Sequence, residues 1–150
     1  MKKLLGFTIV IATTFTAMAA DAEDNAAVKK DLARLQGEWS MQSATADGFE
    51  LPEAMRSGFK RICKDNELTV KNGDQLIMRA KITIDPSKTP KTIDYDVVEG
   101  PTMGKKHLGI YEFDRNTLKS CFGAPDMERP TDFTSKQGEK RTLSAWKHEK

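Results

Sequence analysis

The sequence predicts an all-β fold: an eight-stranded antiparallel up-and-down barrel with a short N-terminal helix. Three observations carry this. The apolar period changes at Gly37 from near 3.6 to 2. Eight strand-like segments with the shorter period then follow in close succession. The turns between them leave no room for crossover helices, so neighbouring strands pair antiparallel. A chain of hairpins either closes on itself or leaves two exposed edges. Eight is a number at which an up-and-down barrel closes. A two-sheet sandwich is the alternative.

The helix comes first. Asp24 or Asn25 is a candidate N-cap. Val28, Leu32 and Leu35 recur at helical spacing, with Lys29, Lys30, Asp31 and Arg34 assigned to the opposite face. Gly37 supplies the stop. The first strand runs from about Glu38 to Thr45, and Asp47-Gly48 turns the chain. Pro52 to Arg56 reads as a single helical turn ended by Gly58. Phe59 to Lys64 and Glu67 to Lys71 are the next two strands, joined at Asp65-Asn66. Asn72-Gly73 is the strongest hairpin signal in the chain.

The fourth strand is the clearest. Leu76, Met78, Ala80, Ile82 and Ile84 alternate with Ile77, Arg79, Lys81, Thr83 and Asp85, as in a half-buried antiparallel strand. A proline-bearing loop from Asp85 to Pro90 ends it. Ile93, Tyr95 and Val97 mark the inner face of the fifth strand. The sixth spans Lys106 to Asp114, the seventh Thr117 to Phe122, and the eighth Lys140 to His148.

Residues 1–19 read as a secretory leader: Lys2 and Lys3, an apolar stretch from Leu4 to Ala12, and Ala17-Met18-Ala19 before the cut. An uncleaved anchor is the alternative. The expected organisation is a leader (1–19), an N-terminal segment with the capping helix (20–36) and a barrel domain (37–150). The protein is expected in the periplasm or outside the cell after cleavage near Ala19, and no membrane span is expected in the mature chain. The formal charge is +2, from 24 basic and 22 acidic side chains. Losing Lys2 and Lys3 with the leader makes the two counts equal. A neutral chain exerts no bulk attraction on nucleic acid or an anionic membrane, and no nucleic-acid partner is expected.

Six blocks occur in order: Leu35-Gln36-Gly37-Glu38-Trp39, Asp85-Pro86-Ser87-Lys88 with Pro90-Lys91, Glu99-Gly100-Pro101, Leu108-Gly109-Ile110-Tyr111-Glu112, Thr117-Leu118-Lys119 with Cys121-Phe122, and Glu128-Arg129-Pro130-Thr131 with Phe133. This set resembles a family of uncharacterised lipocalin-like domains abundant in planctomycetes and related bacteria. It covers roughly Leu32 to Lys147. The resemblance implies a small, often exported β-barrel and supplies no ligand or enzymatic activity. In lipocalins a Gly-x-Trp on the first strand seals the closed end, beneath a basic side chain from the last strand. That implies a structural role for Gly37 and Trp39, with Lys147 or Arg141 over the indole. The family usually carries a bulky apolar residue where this chain has Cys63.

A disulfide between Cys63 and Cys121 and a pair of buried free thiols are both compatible with an exported chain. For a ligand cavity, the inward candidates are Met41, Phe59, Met78, Ala80, Ile82, Tyr95, Val97, Tyr111 and Phe122. Tyr95 and Tyr111 offer hydroxyls, and Gly109 and Ala80 leave space. The same side chains could instead fill the barrel. Arg129 either guards an open end or ties down its own loop. Asp94, Asp96 and Glu99 read as a solvated face rather than a cation site. The two His carry no nucleophile or zinc motif. No catalytic residue, metal or cofactor is therefore expected. The expected partner is a small apolar molecule in the barrel or, for a filled barrel, another protein acting on loops and edges.

Overall fold

The computed structural model describes the backbone from residue 15 and the side chains from residue 25. The expected leader and its cut lie outside the residues described in full. The elements are α1 (Phe15–Leu35), β1 (Gly37–Ala46), β2 (Phe49–Glu50), α2 (Glu53–Arg56), β3 (Phe59–Lys64), β4 (Glu67–Asn72), β5 (Gln75–Asp85), β6 (Lys91–Glu99), β7 (Lys106–Asp114), β8 (Thr117–Gly123) and β9 (Arg141–His148). Among the described residues, no helix is long and apolar enough to cross a membrane.

β1 pairs with β3, each strand from β3 to β8 pairs with the next, and β9 returns to β1. All of these pairings are antiparallel. The β1–β9 ladder runs from Trp39↔His148 to Ala46↔Thr142, with a bulge between Met41 and Ser43. This ladder closes an eight-stranded barrel and rules out the two-sheet sandwich. β2 is an addition of two residues paired to the end of β1. It is too short to leave a periodic signal.

Two boundaries differ from expectation for local reasons. α1 begins at Phe15, so neither Asp24 nor Asn25 caps it. The alanines around them are the best helix formers and carry the helix through. The β4–β5 hairpin pairs Asn72 with Gln75, so its loop residues are Gly73 and Asp74, with Gly73 at φ +59°. Gly37, at φ +98°, takes the chain out of α1.

The up-and-down course places α1, the Asp65-Asn66 turn, the 86–90 loop, the Arg115-Asn116 turn and the end of β9 at one end. That end is closed. Leu35, Trp39, Leu68, Ile93 and Leu118 are buried there in the core. Each fully buried aliphatic side chain contributes about 1.5–3 kcal/mol. Trp39 donates from Nε1 to the Leu35 carbonyl at 3.0 Å, which joins the barrel to the end of α1. Asp31 is not on the solvent face of α1. It is 4% exposed and accepts from the Tyr111 hydroxyl and from Lys91 Nζ, both at 2.8 Å. Position 31 follows Val28 by three, which puts it on the buried stripe.

The expected basic cover over Trp39 is corrected. Lys147 is exposed, because alternation along β9 sends Trp146 inward and Lys147 outward. Arg141 pairs with Asp132 at 2.8 Å, outside the barrel. His148 takes the position instead, edge-on to the indole with ring centroids 4.7 Å apart.

Cys63 and Cys121 are both buried free thiols, so no bridge joins them. Cys63 shares the inward face of β3 with Arg61 and belongs to the core. Leu118 and Phe122 of β8 point inward. Cys121, next to Phe122, points to the outer face, with Sγ 3.4 Å from the Thr134 carbonyl under the 124–140 segment. The two Cβ atoms face opposite sides of the wall, which forbids a disulfide.

Candidate functional site

The end opposite α1 is the mouth. The β4–β5 turn, the 100–105 loop and the 124–140 segment lie there. A cavity of about 410 Å³ opens at this end. Consecutive strands each send it an inward side chain, Val70 from β4, Met78 from β5, Tyr95 from β6, His107 from β7, Phe122 from β8 and Thr142 from β9, in addition to Ile77 at the edge of β5. Period-two alternation makes this ring, since each of these side chains apart from Ile77 takes the inward parity of its strand. The lining is mainly apolar.

Tyr95 and Phe122 stack across the floor, with centroids 4.1 Å apart and planes 30° apart. Gly109 does not leave room for a ligand. A Cβ there would come within 2.4 Å of the Phe122 ring, so the missing side chain is what lets the ring lie flat. His107 Nε2 lies 3.1 Å from Thr102 Oγ1 at the rim. Burial holds its pKa below the ordinary 6.5.

Below the mouth is Arg61, which is 1% exposed. It lies between Phe59 and Cys63 on the inward face of β3. Its Nη1 donates to the Tyr95 hydroxyl at 2.5 Å. Its Nε and Nη2 are buried and have no hydrogen-bond partner among the described residues. Burial pushes the Tyr95 phenol above its ordinary pKa of 10.0, and the Arg61 charge acts in the opposite direction. Tyr95 is thus a neutral hydroxyl shared between the cavity and the buried guanidinium.

Of the residues singled out as ligand contacts, Met78, Tyr95 and Phe122 meet at the mouth. Met41 is half-buried against the core and does not line this cavity. Tyr111 lies at the closed end. Its hydroxyl is committed to Asp31, and burial raises its pKa far above the ordinary phenol. Phe59 packs partly buried against the core, and Ala80, Ile82 and Val97 fill it.

Arg129 does not guard the mouth. Its Nη1 donates to Asp94 Oδ1 at 2.6 Å and to the Gly109 carbonyl at 2.8 Å. It straps the 124–140 segment to the outer wall over β6 and β7. A larger groove of about 670 Å³ lies beside it, lined by Asp85, Lys88 and Asp94 among others. Its arginine already has a carboxylate partner in Asp94. Asp96 pairs with Lys106 at 3.6 Å and Glu99 with Arg79 at 2.5 Å. Each of the three carboxylates therefore has its own cation. Among the described residues, no group of three His, Cys, Asp or Glu is placed to hold a metal ion.

Sequence reasoning passed over Arg61, set Asp31 on the face opposite the apolar stripe and weighed His148 only for nucleophile and zinc motifs. Arg61 had a signal, since it shares parity with Phe59 and Cys63. The usual exposure of arginine outweighed it. No protein-family model, curated protein or solved structure matches the chain.

Proposed function

We propose that this is an exported, lipocalin-like protein without enzymatic activity, and that it binds a small, mainly apolar molecule in the barrel mouth. The observation that supports binding is the 410 Å³ cavity ringed by Met78, Tyr95 and Phe122. Its size falls within the range of small-molecule sites, and it combines apolar walls with few polar groups. Met78 gives the wall a side chain that adapts to varied shapes. The leader pattern supports export. The ordered blocks from Leu35 to Phe133 support the lipocalin-like assignment.

Uptake of the neutral fluorophore N-phenyl-1-naphthylamine tests the reading. Wild-type protein should bind it saturably, one per chain. Met78→Trp, which fills the mouth, should weaken binding at least about tenfold, a loss of 1.4 kcal/mol. Absence of saturable uptake by the wild type would return the barrel to a structural or protein-interaction role.

A further inference from the structure

We propose that Arg61 anchors the carboxylate head of a small amphipathic ligand, whose apolar part lies in the mouth above the Tyr95–Phe122 stack. The inference rests on the mouth being the binding site and names the class of molecule it takes.

Two observations carry it. The first is the orphaned edge of the guanidinium. An arginine presents five N–H donors in a fixed fork. Here Nη1 is used by the Tyr95 hydroxyl, while Nε and Nη2 are buried without a partner among the described residues. Those two nitrogens form the side-on edge of the fork, and their N–H bonds run parallel. That spacing matches the two oxygens of a carboxylate, which accept such an edge bidentately. The second is charge. Among the described residues, Arg61 makes no ion pair, and only Tyr95 accepts a hydrogen bond from it. Removing a cation from water without a counter-charge carries a penalty of several kcal/mol. An anion that enters with its own apolar tail supplies the missing charge.

Tyr95 links the two, since it lines the mouth and its hydroxyl accepts from the guanidinium; Nε and Nη2 themselves are fully buried, so a carboxylate reaches them by displacing the side chains around them. A carboxylate reaching Nε and Nη2 would lie beside the Tyr95 hydroxyl, a third polar contact. A neutral alcohol of the same length fills the mouth but leaves the charge uncompensated. The fork therefore separates acids from alcohols, while the walls accept either tail.

The test compares decanoate with decan-1-ol by titration calorimetry on purified protein. Wild type should bind decanoate about 10- to 100-fold more tightly, the range for hydrogen bonds between charged groups. Arg61→Met replaces a buried, uncompensated charge with an apolar side chain of similar length. It should fold as well as the wild type or better and lose the preference for decanoate, weakening the acid far more than the alcohol. Should Arg61→Met not fold, Arg61→Lys keeps the charge without the fork and should weaken decanoate at least about tenfold. The carboxyl carbon of bound, carbon-13-labelled decanoate should remain ionised at acidity where the free acid is protonated. Equal binding of acid and alcohol by wild type, or a bound carboxyl that titrates like the free one, would overturn the anchor and leave the mouth as a binding site. Binding of neither probe would overturn both.

Discussion

At Gly109 the absence of a methyl group decides how the mouth is floored. Gly109→Ala would set a Cβ 2.4 Å from the Phe122 ring and push that ring off Tyr95. The expected loss is about 1–3 kcal/mol, the usual penalty for overpacking, read by urea unfolding. Unchanged stability would mean the ring has a second resting place. The thiols give another residue-scale expectation. Burial raises the pKa of both Cys63 and Cys121 above the ordinary 9.0, and the reactive species is the thiolate. Folded protein should react slowly with Ellman's reagent, and unfolded, unreduced protein should release two equivalents per chain. Fewer than two would contradict the separation of the cysteines across the wall. Parity explains what was readable at this scale. Met78, Tyr95 and Phe122 could be placed inside from period two alone. The polar anchor beneath them could not, because a charged side chain ordinarily overrides its parity.

Among the contacts that hold α1 to the barrel, the buried polar ones are the Asp31 pair with Tyr111 and Lys91 and the bond from Trp39 to Leu35. Asp31→Ala leaves a buried phenol without its acceptor, which costs about 1–3 kcal/mol. The Lys91 contribution is smaller, since that side chain is half-exposed and solvent screens it. Amide exchange in the last turns of α1 should accelerate more than exchange in β4 or β8. Uniform acceleration would mean that α1 and the barrel unfold together. Element by element, the strands were the most legible part of the chain. β3 and β7 match their expected limits, because turn residues flank both. The course of the 124–140 segment was not legible. Its placement depends on contacts such as Arg129 to Asp94, between residues far apart in the chain, and no local period encodes them.

For the whole molecule, burial of titratable groups defines a pH range of full stability. The folded state holds His107 below 6.5, so as pH falls through that value the unfolded chain takes up the proton first and stability declines. Asp85, Asp132 and Glu149 are held below the usual carboxylate range by bonds to Ser87, Thr134 and Lys60 respectively, which steepens the decline at lower pH. On the alkaline side, Cys63, Cys121, Tyr95 and Tyr111 all have raised values. The unfolded chain therefore loses protons first above 9.0 and then above 10.0, and stability falls again. Unfolding midpoints should form a plateau between 6.5 and 9.0, and His107→Gln should extend it to lower pH. A midpoint that declines with the same slope in His107→Gln would assign the acid limb to other groups. The closed topology has one more consequence. The C-terminal half of α1 and the end of β9 both lie at the sealed end, away from the mouth. Protein fixed to a solid support through Lys150 should therefore hold its opening toward the solution, and a carrier joined there should leave entry to the cavity unhindered.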